Sequence, residues 1–303
     1  EYRRQRQMCI RDRLRAVAPY IHAFRGKTIV VAFGGELVTA GRLNALVQDL
    51  SLLHAMGMRL VLAFGSRPQV DEQMTLRGAQ SRYHKGMRVT DPVALECAKE
   101  AAGETRLDIE AAFSQGLPNT PMAHSTVRVI SGNFVTARPV GIVDGIDFEQ
   151  TGLVRKVDVQ TIRLALSSGA LVVLPPLGFS PTGEAFNLAM EDVACSTAIA
   201  LDADKLIFLT ESGAITDESG ELISEVAEGR ARSLLEGGSL DPDAADTLRY
   251  ALRACDGGVA RAHIVPMGVD GSVLLELFLH DGVGSMVVEE TLEELREASS
   301  DAV

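Results

Sequence analysis

Short apolar runs that end in glycine alternate with helical faces along this chain of 303 residues, and that alternation constrains its fold more than any other feature. Thr28–Phe33 runs into Gly34-Gly35, Arg59–Phe64 into Gly65, Ala170–Leu174 into Pro175–Gly178, and Lys205–Thr210 up to Gly213. Between the first two, Leu43, Leu46, Val47, Leu50 and Leu53 repeat at helical spacing, closed by Gly57. A helix starts near Pro68. Asp91 is placed to cap another, with Pro92 at its first position, running to Ala112. Further helices are expected from Asp158 to Ser168 and over Ala189–Leu201, Leu248–Cys255 and Val273–Phe278, with strands at Ala262–Val265 and Gly282–Val288. Strands and helices in alternation imply a mainly parallel sheet covered on both faces, an α/β three-layer αβα sandwich. Ligands of such sheets gather beyond the carboxyl ends of the strands, which are the glycine turns named above.

The middle of the chain reads differently. Val127–Ile130 and Phe134–Ala137 flank Ser131-Gly132-Asn133 and read as a hairpin. Val140–Val157 alternates glycines with β-branched residues and reads as further strands, and Ile215–Ile223 holds a turn at Glu218–Gly220. Near the start, Val17, Tyr20, Ile21 and Phe24 form one helix face, which Pro19 should kink or divide. Residues 1–13 carry five arginines and no apolar periodicity. They read as translated adapter sequence, with a basic arm or a transit peptide as alternatives, and they are expected to be disordered. Residues 289–303 read as a helix start belonging to a linker. The expected organisation is one domain over 14–288 between those two ends.

The formal charge of −12 argues against sequence-independent nucleic-acid binding and against a polybasic membrane anchor. Apolar runs are a few residues long, far short of a membrane span of about 20. Cys9, Cys97, Cys195 and Cys255 lie far apart without metal-ligand spacing, so no metal site and no disulfide framework are expected, and the compartment reads as cytoplasmic.

Several motifs, in order, resemble the amino acid kinase family, in particular its acetylglutamate-binding members, the acetylglutamate kinases and N-acetylglutamate synthases. Pro19-Tyr20-Ile21 followed by Arg25-Gly26-Lys27-Thr28 is similar to the N-terminal helix and first strand of arginine-regulated members. The resemblance implies that this helix joins copies into a homo-oligomer, a hexamer. Tyr83-His84-Lys85-Gly86-Met87-Arg88-Val89-Thr90-Asp91 resembles the synthase form of a substrate-carboxylate loop and puts that role on Arg88. A guanidinium grips a carboxylate with two parallel hydrogen bonds, which lysine does not reproduce. The competing reading of Arg88 is a solvated surface arginine.

Phe186-Asn187-Leu188 with Glu191 resembles the asparagine-plus-acid pair beside the acylamino acid, four residues apart and so compatible with one helix face. With Gly34, Gly35, Gly65 and Arg88, these residues form an expected acylamino-acid pocket, read as vestigial. Gly257-Gly258-Val259 through His263, Leu274–Phe278 and Asp281–Met286 resemble the allosteric arginine site. L-arginine is thereby implied as effector, flanked by His263 and Glu276, with close backbone approach at Gly282 and Gly284. A buried structural histidine is the competing reading of His263.

The departures point away from kinase chemistry. Kinases of this family carry a lysine where Ala32 stands and a second one before the arginine site, whereas this chain has five lysines and none after Lys205. The second glycine loop is here Gly65-Ser66-Arg67-Pro68. Phosphoryl transfer depends on positive groups around the phosphoryl. Arg67, Arg249 and Arg253 are the nearest candidates to replace them. The resemblance therefore implies the arginine-sensing kinase-like part of a glutamate N-acetyltransferase, which makes N-acetyl-L-glutamate from acetyl-CoA in arginine biosynthesis. An acetylglutamate kinase and a stand-alone arginine-binding module are the alternatives. An acetyltransferase domain would carry an R/Q-x-x-G-x-G/A loop for pyrophosphate at a helix N-terminus, and this sequence has none. No catalytic residue and no cofactor are expected in this chain, acetyl-CoA belonging to the full-length enzyme.

Overall fold

A computed structural model describes residues 18–115, 127–217, 219–279 and 282–288. The expectations for residues 1–13 and 289–303, for Val17, and for Cys9 and Asp281 lie outside the described residues.

The principal sheet has eight strands, in the order Glu225–Ala227, Ser285–Val288, Ala262–Pro266, Lys205–Thr210, Thr28–Phe33, Arg59–Phe64, Ala170–Leu174 and Arg128–Ser131. From Ala262–Pro266 to Arg128–Ser131 all neighbours are parallel. Ser285–Val288 runs antiparallel to Ala262–Pro266 and parallel to Glu225–Ala227, so the last two strands reverse the sheet at one edge.

Side chains alternate between the two faces of a strand, and the buried residues divide accordingly. Val30, Ala32, Val61, Ala63, Leu206 and Phe208 face helices Met190–Leu201 and Pro242–Asp256. Ile29, Val31, Phe33, Leu60, Leu62 and Phe64 face helices Leu43–Ala55, Pro92–Ser114 and Ser272–Phe278. The two apolar clusters make the chain the expected three-layer αβα sandwich. Full burial stabilises each such Leu, Ile or Phe side chain by roughly 1.5–3 kcal/mol, so the central strands anchor both layers.

Local chemistry sets the helix starts. Asp91 accepts from Ala94 N at 2.9 Å, with Pro92 in the first turn. Asp158 accepts from Thr161 N at 3.1 Å, and Asp241 from the amides of Asp243 and Ala244. The helix over residues 18–24 is unbroken. The turn before Pro19, where the expected kink would fall, lies outside the described residues.

Two expectations are corrected, and two elements were missed. Arg128–Ser131 and Val135–Pro139 do not form a hairpin. The first pairs with Ala170–Leu174 in the principal sheet, the second with Gly152–Val157 and Leu177–Phe179 in a separate four-stranded sheet. Phe134 and Val135 are buried, and the chain passes from one sheet to the other across Gly132. The helix expected from Leu248 begins six residues earlier, because Asp241 caps it at Pro242. Helix Glu228–Gly237 and strand Glu225–Ala227 were not expected at all, since their mixed charge hides the narrow buried stripe.

Candidate functional site

The strand ends converge on a cleft of about 400 Å³. Gly34, Gly35, Gly65, Arg88, Asn187 and Glu191, all expected at one pocket, line it together. Its floor depends on glycine. A Cβ on Gly65 would lie 3.3 Å from Gly34 Cα and 3.6 Å from Met190 Cβ. The two glycine turns and the start of helix Met190–Leu201 therefore meet there.

Arg88 is buried, its side chain only 6% exposed, which excludes the solvated reading. Its Nη1 donates to Asp71 Oδ1 at 2.8 Å and to Ser81 Oγ, and its guanidinium stacks 4.8 Å from the Tyr83 ring. Ser81 and Tyr83 also donate to Asp71. Partial burial pushes the Asp71 carboxyl up, but these hydrogen bonds outweigh it and hold the group below the usual carboxylate range. The anchor, Asp71, was not singled out from sequence: it lies on another element, seventeen residues earlier, and only the hairpin of strands Arg82–His84 and Met87–Val89 brings it near.

Asn187 donates from Nδ2 to Thr90 Oγ1 at 3.1 Å, and Thr90 is joined in turn to Thr151. Asn187 ends strand Ala185–Asn187, and Glu191 lies in the first turn of the next helix. The two do not share a helix face, because Ala189 is extended (φ −69°, ψ 133°) and breaks the run. Burial pushes the Glu191 carboxyl up, its own backbone N–H and Arg67 pull it down, and Asp246 and Glu36 raise it again, for a net upward shift. Its neighbour Asp192 is buried and satisfied: Oδ1 accepts from Arg253 at 2.7 Å and Oδ2 from Val154 N at 2.8 Å.

The cations expected as possible replacements all line this cleft, and each faces an acid of the chain. Arg253 pairs with Asp192, Arg249 with Asp246, and Arg67 with Asp243 at 3.4 Å. Ala32 is fully buried inside the sheet.

A second cluster lies between strand Ala262–Pro266 and helix Ser272–Phe278. His263 Nδ1 is 2.7 Å from Glu276 Oε1, with side chains 3% and 5% exposed. Glu276 Oε2 accepts from the amides of Val283 and Gly284, both at 2.9 Å. Lys205 Nζ donates to His263 Nε2 at 3.1 Å. Since Nε2 accepts, the ring proton sits on Nδ1 and is donated to Glu276. Burial lowers the His263 pKa against the pull of Glu276. Burial also lowers Lys205, to about 8, with Arg261 adding to it. Glu276 ends below its usual range, because its hydrogen bonds from His263 and the two amides exceed the burial cost.

Gly282 and Gly284 are where backbone comes close. Cβ atoms there would lie 2.6 Å from Glu276 Oε2 and 2.5 Å from Ile264 O, respectively. The helix over 18–24 packs onto the same cluster: Tyr20 and Phe24 meet the Phe278 ring edge-on, and Lys205 lies over the Phe24 ring at 5.6 Å. Lys205 was not expected here. Its hint was a lysine opening an otherwise apolar strand.

Among the described residues no group of acids, histidines and cysteines is arranged to hold a metal ion, and no helix is long and apolar enough to cross a membrane.

Comparison with known proteins adds names to this geometry. Residues 27–266 match the model of the amino acid kinase family. The chain is 62% identical over 292 residues to an amino-acid acetyltransferase of Ralstonia nicotianae, covering 96% of this chain and 65% of that protein. It is 45% identical to an amino-acid acetyltransferase of Pseudomonas fluorescens, covering 67% of it. It thus spans about two thirds of the length of these relatives. Among solved structures, N-acetylglutamate synthase of Neisseria gonorrhoeae complexed with coenzyme A and L-arginine superposes with a TM-score of 0.84 at 36% identity, over 95% of this chain and 69% of that one. Carbamate kinase of Giardia lamblia bound to AMP-PNP superposes at 0.65 with 14% identity, over 88% of this chain and 99% of that one, a likeness of fold alone.

Proposed function

The chain belongs to the amino acid kinase family, and from that premise we propose that it acts as the arginine-sensing, oligomer-forming kinase-like domain of an N-acetylglutamate synthase. The whole enzyme joins acetyl-CoA and L-glutamate into N-acetyl-L-glutamate, in the cytoplasm, as the first step of arginine biosynthesis. Residues 14–288 form this domain, and residues 289–303 begin the connection to the acetyltransferase part. The acetylation itself is assigned to that part.

One observation carries the sensing role: a buried, ionised Glu276 lies between His263 and the close-packed glycines 282 and 284. Such a carboxylate is the natural partner of a guanidinium, which it meets through two parallel hydrogen bonds. His263 orients it, and the glycines let backbone carbonyls approach the ligand. Support also comes from the Neisseria relative, which was solved with L-arginine. The helix over 18–24, docked on Phe278, ties effector binding to the surface that assembles the oligomer.

Kinase chemistry is not part of the proposal. A phosphoryl group in the cleft would meet Glu36 and Glu191, while the cations there already face acids of the chain. Acetyl-CoA is assigned to the acetyltransferase part of the whole enzyme.

Calorimetry with L-arginine tests the reading. Binding is expected, weakened by His263→Ala and strongly weakened by Glu276→Ala. No heat with L-arginine removes the sensing role, and binding unaffected by Glu276→Ala removes the site. Acetyl-CoA-dependent acetylation of glutamate by the pure chain would overturn the claim that it lacks the chemistry. ADP release with N-acetyl-L-glutamate and ATP would restore the kinase alternative.

A further inference from the structure

Lys205 is a buried cation that meets no acid directly. It is 7% exposed at the opening of strand Lys205–Thr210, and among the described residues no carboxylate lies within ion-pair distance of its ammonium. The adjacent Asp204 is committed elsewhere, to Lys27 Nζ and to Thr28 N, both at 2.8 Å. Lys205 Nζ instead donates to His263 Nε2 and lies over the Phe24 ring. Glu276 stands across the same imidazole, its Oε1 2.7 Å from Nδ1. Lysine, histidine and glutamate thus form one line, in which a neutral ring separates two charges.

The order matters, because the ring has two possible charge states. A buried histidine touching a carboxylate gains by taking a second proton, since the resulting ion pair relieves the burial of a lone charge. An imidazolium would neutralise Glu276 and compete with any cation arriving there. Here the second proton would have to sit on Nε2, facing the N–H of Lys205, and two donors would then oppose each other 3.1 Å apart.

The surrounding charges favour the neutral ring. Burial acts first against protonation of His263, and the Glu276 hydrogen bond acts for it. The Lys205 charge opposes it again, ahead of the Glu276 charge in favour and Arg261 against. Arg261 is exposed, so water screens it, and the strand neighbours Ile207 and Met286 carry no charge. Lys205 itself is held down by burial and then by Arg261, with Glu276 and Asp204 in its favour.

We infer that Lys205 is a positioning residue of the effector site: acting through His263, it holds the imidazole neutral with its proton on Nδ1, so that Glu276 keeps its full negative charge for a cationic effector. This rests on the arginine-sensing reading of Glu276 and names the residue that keeps that carboxylate open over the neutral pH range. A lysine serving only to link helix 18–24 to the sheet would not select a protonation state of the ring.

Two measurements on the pure chain test it. The His263 ring signal, identified by its loss in His263→Gln, is followed by nuclear magnetic resonance from pH 8 to 5.5. It is expected to stay in the neutral form down to pH 6 in wild type, and to titrate near or above the ordinary histidine value of about 6.5 in Lys205→Met. Calorimetry with L-arginine is then run at pH 6 and pH 7.5. Wild-type affinity should change by less than about twofold, whereas Lys205→Met should bind about fivefold more weakly at pH 6 than at pH 7.5. Lys205→Gln, which keeps a polar group without the charge, should behave in the same way and guards against a folding defect in the first variant. A His263 midpoint unmoved by both substitutions, or variant affinities as flat with pH as wild type, would overturn the inference while arginine sensing stands. Absence of heat from wild type with L-arginine would remove the sensing role itself, and with it the purpose assigned to Lys205.

Discussion

Lys205 donates to His263 across two neighbouring parallel strands, Nζ to Nε2 at 3.1 Å, and so a charged amine is buried against a ring that carries no charge. Burial brings the Lys205 pKa down from 10.5 to about 8. Below pH 8 the lysine is protonated whether folded or unfolded, and folding bears the full cost. Between pH 8 and 10.5 the unfolded chain holds a proton that the folded chain has released, so stability rises with pH. The difference between the two values corresponds to about 3 kcal/mol. Urea unfolding at pH 7 and 9.5 is expected to show a wild-type gain of about 2 kcal/mol that Lys205→Met lacks. Parallel pH profiles for the two proteins would refute the assignment.

Removing Glu276 strands three donors at once. Glu276→Ala leaves His263 Nδ1 and the amides of Val283 and Gly284 buried without an acceptor. The expected loss of stability is about 3 kcal/mol, and Glu276→Gln, which keeps an acceptor oxygen, should lose less. Thermal unfolding of both variants at pH 7 gives the comparison. A Glu276→Ala protein as stable as wild type would show that other partners take up these donors.

Asp49 offers a change in the opposite direction. Burial, with Asp270 nearby, raises its pKa to about 6. A raised carboxyl favours the folded state below its unfolded pKa, and that advantage is lost as pH climbs through 6. Asp49→Asn is therefore expected to stabilise the protein at pH 7 by about 1–2 kcal/mol, allowing for solvent screening, and to change little at pH 3.5. Stabilisation of equal size at both pH values would point to packing rather than charge.

Asp192 joins three elements, accepting from Arg253, from Ser196 of its own helix, and from the backbone of Val154 in the second sheet. Asp192→Ala should cost about 3 kcal/mol. Much of that loss should disappear in Arg253→Met, Asp192→Ala, where no half-buried guanidinium is left alone. A double-mutant cycle measured by denaturant unfolding reads the coupling directly, and additive losses would rule it out.

Thr28–Phe33, Arg59–Phe64, Ala170–Leu174 and Lys205–Thr210 were legible because each is a short apolar run that leads into a glycine turn, and the strand-end cleft followed from their common direction. Arg88, Asn187 and Glu191 were legible only through motif resemblance, yet the cleft gathers all three. Their partners were hidden. Asp71 and Asp192 look like ordinary acids on amphipathic helices, and only the tertiary fold turns them toward the buried Arg88 and the half-exposed Arg253. Lys205 was counted as a lysine in the wrong place for phosphoryl transfer, when its immediate partner is His263, fifty-eight residues on. The false hairpin at Ser131-Gly132-Asn133 had a sound local signal. Pairing with Ala170–Leu174 and Gly152–Val157 overrode it, because those partners bury Val135 and complete two sheets.

The reversed edge of the principal sheet constrains how the chain can be made. Ser285–Val288 is inserted between Ala262–Pro266 and Glu225–Ala227, two strands that precede it. As the ribosome extends the chain, Glu225–Ala227 has no sheet neighbour until residue 288 has emerged. Until then Ala262–Pro266 is itself an open sheet edge, with unsatisfied backbone groups that invite pairing between nascent chains. A ribosome stalled before residue 285 therefore displays an adhesive intermediate. Pairing of Ser285–Val288 passivates that edge in one step.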